Sequence, residues 1–157
     1  RGSFMNEPIF NKKASFDYAL SDKFEAGIVL TGSEVKSVRY GSVSLVDSFV
    51  KITDKEALLV NVYIAPYKYA VDPSYDPKRT RKLLLNKREI EFIEGKLASS
   101  NLTVVPVKMY TSHNLVKVEI ALASKRKKFD KREVLKKKAQ NRETEGYLRT
   151  NKLKSQK

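Results

Sequence analysis

Val116-Lys117-Val118-Glu119-Ile120-Ala121-Leu122 sets the character of the fold. Val116, Val118, Ile120 and Leu122 share one face of an extended chain, while Lys117 and Glu119 point the other way. A period of two is the pattern of a strand buried on one side. Just before it, Val105, Val107 and Met109 are expected to line one face of a partner strand, with Thr111-Ser112-His113-Asn114 as the hairpin turn. Pro106 has no N–H to give to a ladder, which places it at an edge or a bulge.

Working outward, the same period recurs. In 48–53, Ser48, Val50 and Ile52 face one way and Phe49, Lys51 and Thr53 the other. Asp54-Lys55-Glu56 is a turn, after which 57–64 reads as one strand, with Leu58, Val60, Val62 and Ile64 opposite Leu59, Asn61 and Tyr63. Residues 16–30 read as one or two short extended segments. Residues 65–82 lack periodicity, carry three prolines, and read as a long surface loop in which Tyr67, Tyr69 and Tyr75 alternate with basic residues.

Two helices announce themselves through their caps. Thr31-Gly32-Ser33-Glu34 is a capping box, predicting a short helix with Val35 and Val38 inward, stopped at Gly41. Asn86 with Glu89 starts a second, whose Ile90, Ile93 and Leu97 form one apolar stripe. Short antiparallel strands with two or three helices close most economically into a small barrel, since closure removes sheet edges.

Charge is distributed unevenly. The net charge is +14, and residues 125–157 hold 14 Lys/Arg against 4 Asp/Glu, so most of the surplus lies in that tail. Such a surplus points to a polyanion, because Lys and Arg displace counterions from phosphate. The tail has good helix propensity but too thin an apolar face to dock on a core, so it is expected to be disordered when free. It also lacks the bulky apolar face of an interfacial helix, which argues against a membrane-surface protein. Residues 1–4 read as a cloning scar, 5–124 as the barrel domain, and 125–157 as the basic tail.

Little points to catalysis. There is no cysteine, and the one histidine, His113, falls in the hairpin turn. No phosphate-binding glycine loop or nucleophile elbow is present, and no pair of carboxylates stands out. The expectation is a protein that is not an enzyme, with no metal and no cofactor. Absence of cysteine agrees with a reducing cytoplasm.

Several blocks carry a resemblance. Asn11-Lys12-Lys13-Ala14 and the run from Phe24-Glu25-Ala26-Gly27 through Glu34-Val35-Lys36-Ser37 come first. Leu45-Val46-Asp47-Ser48-Phe49 and Asp76-Pro77-Lys78-Arg79-Thr80-Arg81-Lys82-Leu83-Leu84-Leu85-Asn86 follow, with Phe129-Asp130-Lys131-Arg132 in the tail. Over residues 10–132, in order, the chain resembles the SmpB (small protein B) family of tmRNA-binding proteins.

The resemblance implies a mainly β fold with some α: an OB-like antiparallel barrel of about six strands with flanking helices. It implies an RNA-binding adaptor that takes the tRNA-like domain of tmRNA to stalled ribosomes for trans-translation. The implied partners are tmRNA, rRNA of the small ribosomal subunit and elongation factor Tu, with no membrane and no DNA. Asn11, Glu25 and Leu84 match tmRNA-contacting positions, Tyr18 matches a nearby aromatic, and Arg81 and Lys82 lie in the same basic block. Phe129, Asp130, Lys131, Arg132, Lys136, Lys137 and Lys138 fall in the tail that would probe the decoding centre and the empty mRNA channel.

Read on residues alone, Glu25 is more readily a solvated strand residue or the partner of a nearby Lys, Leu84 a core residue, and Tyr67, Tyr69 and Tyr75 either pack the loop or stack on RNA bases. The alternatives to an adaptor are a structural ribosomal protein, a general RNA-binding module of OB type or an OB-type nuclease.

Overall fold

The structure, a computed structural model, describes residues 7–70, 72–126, 132, 135 and 136. The chain divides into two compact units, Arg1–Lys125 and Arg126–Lys157. Of the tail residues singled out above, Phe129, Asp130, Lys131, Lys137 and Lys138 lie outside the described residues; Arg132 and Lys136 are helical and exposed.

In the first unit the elements run β1 (Ile9–Phe10), α1 (Lys12–Asp17), β2 (Tyr18–Ile28), α2 (Gly32–Arg39), β3 (Val43–Ser44), β4 (Phe49–Thr53) and β5 (Glu56–Val60). They continue with β6 (Tyr63–Ile64), β7 (Arg81–Leu84), α3 (Lys87–Ser99), β8 (Thr103–Ser112) and β9 (Leu115–Lys125). The main sheet has the order β1-β8-β4-β5-β7-β2-β9, and β9 also pairs with β8. Six strands therefore close into a ring of antiparallel neighbours, the barrel that short alternating strands favour, while β1 hangs on β8. Strands β3 and β6 pair separately. No helix among the described residues is long and apolar enough to cross a membrane.

The core lies inside the ring, where Ala26, Val50, Leu59, Leu83, Val104, Met109, Val118, Ile120 and Leu122 pack together. Ile93 of α3 and Val38 of α2 join this cluster, so both helices bury the stripe their spacing predicts. Both capping boxes form, at Thr31/Glu34 and Asn86/Glu89. Gly41, at φ 77°, closes α2: its N–H reaches Val38 O and that of Ser42 reaches Ser37 O. Two-residue turns with both residues at positive φ join β4 to β5 (Asp54, Lys55) and β8 to β9 (His113, Asn114).

Three expectations need correction. The stretch 57–64 is not one strand: Asn61 at φ 68° breaks it into β5 and β6, which belong to different sheets. The buried residues of β5 are Ala57 and Leu59, while beyond the break they are Val62 and Ile64, so the two faces set apart by the single-strand reading each bury part of their residues. In β8 the register shifts between Pro106 and Lys108, so one extra residue flips the alternation there. Val104 and Met109 face the main core, and Val105 packs in a second small cluster with Ala14 and Ala123. Finally, Arg81 and Lys82 are not loop residues but open strand β7.

Candidate nucleic-acid interface

Alternation in β7 sends Arg81 and Leu83 inward and Lys82 and Leu84 outward. Leu84 pairs with Gly27 of β2 and is 55% exposed, so it is not a core residue. A Cβ on Gly27 would come within 3.3 Å of Leu84 Cβ, so the bare glycine lets the leucine lie across β2. Glu25 is two residues from Gly27 on the same face, and it is exposed. The structure thus brings Glu25, Lys82 and Leu84 onto one outer face.

That face continues across the sheet. Glu25 pairs with Glu119 of β9, which pairs with Lys108 of β8, which pairs with Phe10 of β1. Gly27 pairs with Lys117, and Lys117 with Tyr110. Two carboxylates directly opposite one another repel, and lysines offset this: Lys23 and Lys108 lie 3.8 and 3.7 Å from Glu119. The Tyr110 hydroxyl donates to Glu25 Oε2. Burial first, then this hydrogen bond and the charge of Glu25, push the Tyr110 hydroxyl up to about 12. The result is a mixed surface: a positioned carboxylate, several lysines, and the exposed apolar side chains Leu84 and Phe10 (56% exposed). Carboxylates accept from base amino groups or 2′-hydroxyls, ammonium groups meet phosphates, and apolar side chains cover base or ribose.

The other residues singled out from sequence lie elsewhere. Asn11 is buried, with its side chain committed to the fold: Oδ1 accepts from Ala14 N–H, capping α1, and Nδ2 donates to Pro106 O at 2.9 Å. Its backbone N–H also reaches Val107 O, so Asn11 clasps the β8 bulge. Tyr18, at the far end of β2, packs beside Ala14, Val105 and Ala123. It lies seven positions before Glu25, roughly 20 Å along the strand.

Arg81 has no exposed surface. Nε stands 2.7 Å from Glu34 Oε2, and the terminal nitrogens donate to Val62 O, Pro77 O and Tyr75 Oη. A guanidinium enclosed in this way offers nothing to an outside ligand, so the basic block contributes Lys82 and not Arg81 to the surface. Glu34 is equally enclosed and also accepts from Arg79 and from the Thr31 N–H. Burial alone would raise its carboxyl, but the Arg79, Thr31 and Arg81 donors outweigh it and hold it at about 2. Tyr75 joins this cluster, its hydroxyl 2.8 Å from Ile64 O and 3.1 Å from Glu34 Oε2, and so packs on the body.

Sequence reasoning missed Lys108, Tyr110 and Phe10, whose place on this face depends on the bulge and on strand order. Lys117 and Glu119 were visible as the polar side of 116–122. Among the described residues, no group of three His, Asp or Glu is placed to hold a metal ion.

The family described as SmpB protein matches residues 9–150. An SsrA-binding protein from Sulfurihydrogenibium sp. (strain YO3AOP1) is 56% identical over 135 residues, covering 86% of this chain and 89% of the relative. One from Aquifex aeolicus (strain VF5) is 53% identical over 136 residues, covering 86% and 87%. A solved chain described as "tmRNA-SmpB: a journey to the center of the bacterial ribosome" superposes with a TM-score of 0.65 at 42% identity, covering 77% of this chain and 85% of that one. The chain belongs to the SmpB protein family.

Proposed function

We propose that this chain is a non-catalytic adaptor that binds the tRNA-like domain of tmRNA and brings it to stalled ribosomes. The observation that carries this reading is the meeting of Glu25, Lys82 and Leu84 on one exposed face. The names of the relatives, SsrA-binding proteins, supply the ligand class. A surface with a fixed carboxylate beside lysines discriminates where a purely cationic one does not, because the carboxylate repels phosphate unless a donor group meets it.

Asn11 and Arg81 serve the site from behind. The first holds α1 against the β8 bulge, and the second fixes the start of β7, three residues before Leu84. The basic segment 125–157, with Phe129, Asp130, Lys131 and Arg132 at its start, is the part of the chain that enters the decoding region and the empty mRNA channel. Elongation factor Tu is the expected companion in delivery, and the cytoplasm the expected compartment.

The test is the affinity of Glu25→Ala for tmRNA at fixed salt. Removing a carboxylate makes the protein more positive, so simple electrostatics predicts tighter binding. The proposed site predicts weaker binding, by roughly tenfold for a lost charged hydrogen bond. Affinity equal to or above wild type removes Glu25 from the site.

A further inference from the structure

A second surface is built by residues outside that face. Tyr40, the C-cap of α2, stacks against Tyr67, with ring centroids 6.4 Å apart and planes at 19°. Tyr67 in turn meets Tyr69 edge-on at 5.4 Å. Lys36 Nζ lies 5.1 Å from the Tyr67 centroid, and Lys68 Nζ 4.8 Å from that of Tyr69. Tyr69 is 71% exposed, the highest exposure of any large hydrophobic side chain in the described body.

The loop that carries these rings is fixed at both ends. Ala65 N–H donates to Ser42 O, and the Ser37 hydroxyl donates to Ala65 O at 2.7 Å. At the other end, Tyr75 and Arg79 hold Glu34, and Pro77 O accepts from Arg81. A large apolar ring held at the surface by a tied loop loses little freedom when a planar ligand stacks on it. The two lysines beside the rings select an anionic ligand.

Resting on the reading that this chain binds RNA, we propose that Tyr69 is a stacking platform for an unpaired RNA base. Tyr67 and Tyr40 buttress it, and Lys36 and Lys68 take the flanking phosphates. It is separate from the Glu25/Leu84 face and suits a single-stranded segment, because any base has a face to stack and no pairing edge is read.

The test uses the full chain and a single-stranded oligouridylate of about ten nucleotides with a central 2-aminopurine, which its weakly stacking neighbours leave bright. Fluorescence quenching of that base reports stacking, which contacts between lysines and phosphates do not produce. Tyr69→Ala should lower the affinity by about fivefold or more and remove the quenching, while Tyr69→Phe should stay within about twofold of wild type. The combined variant Glu25→Ala, Leu84→Ala should keep the quenching. Wild-type behaviour of Tyr69→Ala, failure of Tyr69→Phe, or loss of quenching in the combined variant each overturns the platform. If the combined variant binds tmRNA like wild type while Tyr69→Ala loses the oligonucleotide, the Glu25/Leu84 site falls and the platform stands.

Discussion

Arg81 Nε stands 2.7 Å from Glu34 Oε2, and neither side chain is more than 1% exposed. The two are 47 positions apart, so the pair ties α2 to the first residue of β7. Burying two charges is costly, and removing only one leaves the other uncompensated. Glu34→Gln should therefore destabilise the fold by about 3–5 kcal/mol, read from denaturant unfolding. Replacement of Leu115, 59% exposed at the start of β9, should change it by less than about 0.5 kcal/mol.

The same carboxylate sets an acid limit. Its folded value of about 2 lies below the ordinary 4.5, so its contribution is complete above pH 4.5 and is lost as the pH falls toward 2. The loss across that window should be roughly 3 kcal/mol. Unfolding midpoints measured from pH 6 down to 2 should fall in wild type and flatten over that window in Glu34→Gln. Parallel curves would mean that other carboxylates set the acid limit.

Local chemistry was legible in the sequence and long-range geometry was not. The caps at Thr31 and Asn86 are complete within four residues, so their helices start where expected. The alternation 116–122 needs no partner to be read, and it holds. Asn61 breaks the strand by a positive φ that no side-chain pattern announces. The bulge was announced by Pro106, but not the change of phase it brings, so Val105 was set on the face of Met109 although the two pack in different clusters. Helix α1 is six residues long, too short for an apolar stripe, and rests on its Asn11 cap. Arg81 and Lys82 are neighbours of like charge with opposite fates, and only the inward turn of alternate residues in β7 separates them. For the surface, the resemblance supplied Glu25 and Leu84, but the fold was needed to show that Asn11 and Arg81 face inward.

Asn11 gives a third prediction. Asn11→Ala should cost about 1–3 kcal/mol by removing the α1 cap and leaving Pro106 O without its donor. Asn11→Asp keeps the cap acceptor but sets a buried carboxylate oxygen against Pro106 O, so it should cost at least as much as Asn11→Ala. If tmRNA affinity tracks stability across the three proteins, Asn11 acts through the fold. A loss of affinity in Asn11→Asp with unchanged unfolding would place the side chain in contact with RNA.

A fourth concerns the tail. Residues 127–157 carry 12 of the 32 basic residues against 4 of the 18 acidic ones, and the ring closes at Lys125, so a chain ending at Arg126 keeps β9 whole. On random RNA, where phosphate contacts dominate, that truncation should flatten log K against log salt, by about 0.7–0.9 per lost contact. On tmRNA the slope should change less and affinity should stay within about threefold, because the proposed site at Glu25 and Leu84 is left untouched. The expected outcome is therefore separation: tmRNA still bound, but peptidyl transfer to alanyl-tmRNA abolished on ribosomes with an empty mRNA channel. Replacing Asp130, Lys131 and Arg132 together by Ala should do much the same, with unfolding unchanged. Tagging at the wild-type rate by either protein would remove the tail from decoding and leave it a solubilising charge run.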